Sequence, residues 1–150
     1  MIDNEVLVLL ADDDKDDCFL FKEALEELPL ATHLTIVHDG DQLMKLLTGE
    51  TSRFPHVLFL DLNMPRKNGF ECLVEIKRNK KLNRLFVITY STSSEQSILN
   101  LLYKNGSQYY IRKPAEFTQL KEVIHQALIN IAQRNYEQPA REEFVLTGML

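Results

Sequence analysis

Asp61 ends an apolar run, Val57-Leu58-Phe59-Leu60, and opens the turn Leu62-Asn63-Met64-Pro65. Two other apolar runs also finish on charge. Val6 to Ala11 leads into Asp12-Asp13-Asp14, and Tyr109-Tyr110-Ile111 leads into Arg112-Lys113-Pro114. A fourth run, Phe86 to Tyr90, stops at Ser91 ahead of Thr92-Ser93-Ser94. If these runs are parallel strands, their carboxyl ends share one sheet edge, where open α/β sheets bind ligands. Carboxylates gathered there repel one another and stay ionised only around a cation. The donors are oxygens, so a hard divalent ion fits, Mg²⁺ foremost; such an ion keeps some waters and favours a phosphoryl partner. Lys113 would aim an ammonium at that cluster, with Pro114 fixing the turn. Ser91 would offer a hydroxyl to a developing oxyanion.

Each residue also has a plainer role. An acidic run after a strand, here Asp12-Asp13-Asp14 with Asp16-Asp17, caps the next helix and complements its dipole. A serine at a strand end is an ordinary turn hydroxyl, and a lysine before proline is an ordinary surface cation. The convergence of all of them is the functional argument. The four histidines, His33, His38, His56 and His125, have no paired spacing and give zinc little support.

The elements that must position these groups are short β-type runs alternating with helical patterns. The strands are expected at Val6–Leu10, Leu34–His38, His56–Leu60, Leu85–Tyr90 and Gln108–Ile111. Helices are expected at Asp16–Leu28, Asp41–Leu47, Phe70–Arg78, Ser94–Lys104 and Glu116–Arg134. The last carries a wide apolar stripe through Leu120, Val123, Ile124, Ala127 and Ile131. Gly40, Gly49, Pro55, Pro65, Gly69, Gly106 and Pro114 punctuate the boundaries. Fivefold alternation implies right-handed crossovers, a parallel sheet and helices on both faces. The first and third runs are continuously apolar, as central strands covered on both sides are. One domain over residues 1–135 is expected. The stretch 136–150 is too short for another and is either a flexible tail or docks through Phe144-Val145-Leu146.

Composition narrows the classes. The chain has 150 residues, 45% hydrophobic and 26% charged, which suits one folded domain rather than a disordered chain. A formal charge of −5 argues against nonspecific binding to nucleic acid or acidic membranes. Cys18 and Cys72 sit in apolar helical patterns and read as small core hydrophobes rather than a disulfide. The apolar stretch after the first five residues is too short for a signal peptide or a membrane span, so a cytoplasmic protein is expected.

Four segments together resemble the receiver domain of two-component response regulators, of the single-domain, CheY-like type: Leu-Leu-Ala-Asp-Asp-Asp at 9–14, Leu-Asp-Leu-Asn-Met-Pro at 60–65, Tyr-Ser-Thr-Ser at 90–93 and Tyr-Ile-Arg-Lys-Pro at 110–114. Asp61 precedes Ser91 by 30 residues and Lys113 by 52, as in that family. The resemblance implies a flavodoxin-like, doubly wound (βα)5 fold with a five-stranded parallel sheet of order 2-1-3-4-5. It implies Asp61 as phosphoacceptor and Asp12 and Asp13 as the Mg²⁺-binding acids, with Asn63 giving its backbone carbonyl to the ion. The third aspartate leaves Asp13 and Asp14 as the alternative pair. Ser91 and Lys113 would bond the phosphoryl oxygens, and Asn63 and Ser93 would flank the hydrolytic water and set phosphoryl lifetime. Tyr110 falls at the switch aromatic that moves with Ser91, or is simply packed. A cis Lys113–Pro114 bond is also implied.

The implied partners are a sensor histidine kinase or histidine phosphotransfer protein and a downstream effector protein. With no output domain attached, the signal is expected to leave through such a partner. Nucleic acid and membrane are not expected partners. A homodimer through the face of the fourth helix, fifth strand and fifth helix is a further implied assembly. The competing readings are a haloacid-dehalogenase-type phosphohydrolase using Asp12 and Asp14, a pseudo-receiver kept for protein interaction, and a flavodoxin-like cofactor binder. The first leaves Asp61 without a role, the second does not need the complete set, and the third lacks a Gly-rich loop after the first strand.

Overall fold

A computed structural model describes residues 5–49, 53–134 and 137–148. The strands are β1 (Val6–Ala11), β2 (Thr32–Val37), β3 (Val57–Asp61), β4 (Phe86–Ser91), β5 (Tyr109–Arg112) and β6 (Val145–Leu146). The helices are α1 (Lys15–Glu26), α2 (Gly40–Thr48), α3 (Gly69–Arg78), α4 (Gln96–Lys104) and α5 (Phe117–Arg134), with a 3₁₀ turn at Arg141–Glu143. The strands form one parallel sheet of order β2-β1-β3-β4-β5-β6. The five expected strands take the expected order in an α/β, flavodoxin-like architecture. The count is corrected to six, because the chain's C-terminal segment adds β6 beside β5. Two residues are too few to show a period, so β6 had no readable pattern.

Alternation along the central strands divides the core. Val8, Leu10, Val57, Phe59, Ile88 and Ile111 face α1 and α5, packing on Phe21, Leu25, Val123 and Ile124. Leu9, Ala11, Leu58, Leu60 and Val87 face the other way, onto Leu43 of α2, Leu73 and Ile76 of α3, and Leu99 and Leu102 of α4. Each central strand is therefore buried on both faces, which is why β3 is apolar without a break up to Asp61. Cys18 and Cys72 are free and buried, one in each layer. Among the described residues no helix is long and apolar enough to cross a membrane.

Local signals fix where the helices start. Asp14 caps α1, its carboxylate accepting from the backbone N–H groups of Asp16 and Asp17 at 2.9 and 3.0 Å. Asp39 caps α2 through Gln42 N–H at 2.8 Å. Asn68 and Glu71 form a reciprocal capping box on α3. All three caps lie in loops at the carboxyl edge of the sheet, so the helix starts are pinned beside the residues singled out above.

Candidate functional site

In-register parallel pairing carries the convergence. Ala11 pairs with Leu60, Asp61 with Tyr90, and Ser91 with Arg112. Asp12, Asp61, Ser91 and Lys113 therefore leave four neighbouring strands at nearly one level. Asp12 is fully buried, Asp61 2% exposed and Ser91 3% exposed, while Asp13 faces solvent. One oxygen from each of Asp12, Asp13 and Asp61 falls within 4.8 Å of the other two. Asp14 is occupied at the α1 cap, which separates the third aspartate of the run from this cluster.

The Lys113 ammonium lies among the acids: 3.1 Å from Asp12 Oδ2, 3.4 Å from Asp61 Oδ2 and 2.9 Å from Asp17 Oδ2. It also sits 4.9 Å from the centre of the Tyr90 ring. Burial is the largest influence on this amine and pulls its pKa down; Asp17, Asp61 and Asp12 together outweigh it and leave the pKa raised. Asp61 moves the other way from a normal carboxylate. Burial first, then the Asp12 charge, push its pKa up to about 7, against the opposing Asn63 N–H and Lys113. Four carboxylates with one ammonium leave the pocket short of positive charge.

The loops hold these groups by backbone contacts. Asn63 N–H donates to Asp61 Oδ1 at 3.1 Å, and Asp14 N–H to Asp12 Oδ1 at 2.9 Å. Lys113 N–H donates to the Ser91 carbonyl at 2.7 Å. Gly69 allows α3 to start against β3: a Cβ there would lie 2.2 Å from the Asp61 carbonyl oxygen. Ser93 sits in the loop after β4, its Oγ accepting from Glu95 N–H at 3.2 Å. Tyr110 is 1% exposed on the α4 side, its hydroxyl donating to the Ser93 carbonyl at 2.5 Å and more distantly to that of Ser91 at 3.4 Å.

Asp12, Asp13, Asp61 and Lys113 thus come together, with Ser91 at the adjoining strand end and Tyr110 set apart on the α4 side; two points differ from the sequence reading. The Lys113–Pro114 bond is trans, since the described chain has no cis peptide. Trans is the lower-energy isomer of X–Pro by about 0.5–1 kcal/mol, and Lys113 reaches the acids from it. Asp17 is the residue that sequence reading missed. It looked like an ordinary acid in the first turn of α1, and only its one-turn spacing from Asp13 could have hinted that it faces the pocket.

Residues 8–125 match the family model of the response regulator receiver domain. The chain belongs to that family. Over 122 residues this receiver is 32% identical to the response regulator Rcp1 of Synechocystis, covering 79% of this chain and 83% of Rcp1. It is 28% identical over 123 residues to the probable methanogenesis regulatory protein FilR2 of Methanothrix harundinacea, covering 80% of this chain and 79% of that one. Among solved structures it is similar to the Mn²⁺-bound form of Rcp1, with a TM-score of 0.75 at 29% identity over 90% of this chain and 99% of that one. The phosphorylated cyanobacterial phytochrome response regulator RcpA gives a TM-score of 0.77 at 31% identity, covering 91% of this receiver and 99% of RcpA. Receiver domains are phosphoacceptor signalling modules rather than conventional enzymes; they bind Mg²⁺ at an acidic pocket and interact with histidine kinases and downstream effectors.

Proposed function

We propose that this receiver takes a phosphoryl group on Asp61 from the phosphohistidine of a sensor kinase or a histidine phosphotransfer protein. The observation that supports it best is the Lys113 ammonium at 3.4 Å from Asp61 and 3.1 Å from Asp12, groups supplied by three different strand ends. A carboxylate oxygen of Asp61 attacks phosphorus in line; the new O–P bond forms as the P–N bond breaks. The imidazole leaves with the electron pair and takes its proton from water. Asn63 N–H orients the attacking carboxylate. Lys113 and the Ser91 hydroxyl then bind phosphoryl oxygens as charge moves onto them.

The donor set fits a small divalent cation: the oxygens of Asp12, Asp13 and Asp61 are hard ligands within 4.8 Å of one another, in a pocket with excess negative charge. The Asn63 backbone carbonyl would be a further ligand. Bound there, Mg²⁺ supplies neutralisation of the carboxylate and phosphoryl oxygens. The acyl phosphate is later hydrolysed by water, whose approach is flanked by the side chains of Asn63 and Ser93. Turnover of an external phosphomonoester is not part of this reading, since Asp14, the acid a dehalogenase-type hydrolase would need, caps α1.

The phosphoryl group adds about −1.5 to −2 charges at neutral pH. Ser91 shifts toward it, and the movement reaches a downstream effector protein through Tyr110 and the α4–β5–α5 face. A homodimer through that face would have to include residues 137–148, which lie over it. In this reading the protein meets its kinase in the cytoplasm.

The test is incubation with Mg²⁺ and acetyl phosphate or a phosphorylated kinase. Label that alkali and hydroxylamine remove, as they cleave an acyl phosphate, is expected on the wild type, none on Asp61→Asn, and none on either when EDTA removes the metal. Equal labelling of wild type and Asp61→Asn overturns the assignment.

A further inference from the structure

The C-terminal segment is held at many points for so short a piece of chain. Tyr110 N–H donates to the Phe144 carbonyl at 3.0 Å, and β6 continues that contact beside β5. The Phe144 side chain is fully buried, its ring 5.2 Å from Tyr103 edge-on and 6.4 Å from Tyr110. The Arg141 guanidinium lies 5.6 Å from the Phe144 ring centre, while Nε reaches Asn100 Oδ1 at 2.9 Å and Nη2 reaches Gln96 Oε1 at 3.1 Å. Tyr103 donates its hydroxyl to the Pro139 carbonyl at 2.6 Å. Gln138 Nε2 donates to the Tyr103 and Ser107 carbonyls at 2.8 and 2.7 Å. Gly148 N–H closes the far side on Gln126 Oε1 of α5 at 2.8 Å. The segment thus bridges α4, β5 and α5.

Tyr110 joins this segment to the phosphoacceptor pocket. Its backbone and ring meet Phe144, and its hydroxyl bonds the carbonyls of Ser93 and Ser91 in the strand end and loop that carry the proposed phosphoryl-binding hydroxyl. With Phe144 in place, the Tyr110 ring is enclosed between α4 and the segment. Without it, one flank of that ring would meet water, and the inward position would lose the apolar burial that favours it.

We propose that residues 137–148 are a built-in occupant of the α4–β5–α5 face, and that by enclosing Tyr110, whose hydroxyl bonds the Ser91 and Ser93 carbonyls, they hold the strand end and loop that carry the phosphoryl-binding hydroxyl and so strengthen phosphoryl binding. A protein aimed at that face must displace the segment or bind over it. Coupling of this kind is reciprocal: if the docked segment strengthens phosphoryl binding, phosphoryl binding strengthens docking by the same factor.

The proposal rests on the reading of Asp61 as phosphoacceptor, and the experiment keeps the two apart. Beryllofluoride, a phosphoryl mimic, is titrated with Mg²⁺ into the wild type, Phe144→Ala, and the double variant Gln138→Ala with Arg141→Ala, which leaves the core intact. Val145→Ser, on the exposed side of β6, is the control. Weakening by about five-fold or more is expected in Phe144→Ala and in the double variant, none in Val145→Ser. Amide exchange across 137–148 of the wild type should slow when beryllofluoride binds. Equal affinity in all four proteins, or exchange in the segment that ignores the mimic, overturns the coupling while leaving the phosphoacceptor intact. Protection that disappears on dilution moves the segment onto a second copy and overturns the built-in arrangement. No binding to the wild type removes both readings.

Discussion

Asp61 is held in a conflict that only added positive charge resolves. Its carboxyl is buried beside Asp12, with a folded-state pKa pushed from 3.8 to about 7. In the unfolded chain it ionises near the ordinary value, so between roughly pH 4 and pH 7 the folded protein binds more protons than the unfolded one. By linkage, the contribution of Asp61 to stability is then lost as pH rises through this window, on the order of 2–4 kcal/mol. Urea unfolding in EDTA should therefore show the gap between wild type and Asp61→Asn widening from pH 5 to pH 8, with the variant relatively more stable at the higher pH. Mg²⁺ should raise the wild-type midpoint more at pH 8 than at pH 5, because a dication favours the ionised carboxylate. Parallel pH curves for the two proteins would show that Asp61 feels no such strain.

At the scale of elements, the site depends on how closely loops and helix starts approach the strand ends. Gly69 begins α3 where any Cβ would meet backbone atoms, 2.2 Å from the Asp61 carbonyl oxygen and 2.7 Å from Leu62 Cα. A rotamer change cannot relieve that overlap. Gly69→Ala would gain up to about 1 kcal/mol of helix propensity, yet the displaced backbone should outweigh it. A net loss of about 1–3 kcal/mol is expected by urea unfolding, together with weaker Mg²⁺ binding, because the segment that moves carries Asp61. Unchanged metal affinity would separate α3 from the pocket. This closeness was only partly legible in the sequence. The carboxyl ends of β1, β3, β4 and β5 could be read because buried parallel strands are largely apolar runs that stop abruptly, at Asp12, Asp61, Ser91 and, one residue before Lys113, Arg112. The edge strand β2 was placed later than its actual Thr32–Val37, since an edge strand is half covered and its pattern mixes polar and apolar residues. Asp17 was hidden because an acid in the first turn of a helix has an adequate local explanation. The docking of Phe144 required knowing which face α4, β5 and α5 would leave for it, and that is a property of the assembled sheet.

At the scale of the molecule, the sheet is shared by two helical layers, and that makes the fold a single cooperative unit. Phe59 points to the α1–α5 side, fully buried with its ring 4.9 Å from Phe21 at 66°. Its neighbours Leu58 and Leu60 point to the α2–α3–α4 side. The strand that carries Asp61 thus belongs to both cores at once, and neither layer can close over it if the other opens. Phe59→Ala should cost about 3–5 kcal/mol, from lost burial plus the cavity left behind. That is a large share of the ~5–15 kcal/mol that holds an ordinary domain folded. The loss should not stay on the α1–α5 side. Tyr90 and Tyr109 lie in that layer and Tyr110 in the other, so tyrosine emission samples both, while far-ultraviolet circular dichroism follows the helices. The two signals should fall together at one lower urea midpoint in the variant, as in the wild type. Separate midpoints would mean that the layers fold independently, and that the pocket edge could be kept by one layer while the other is lost.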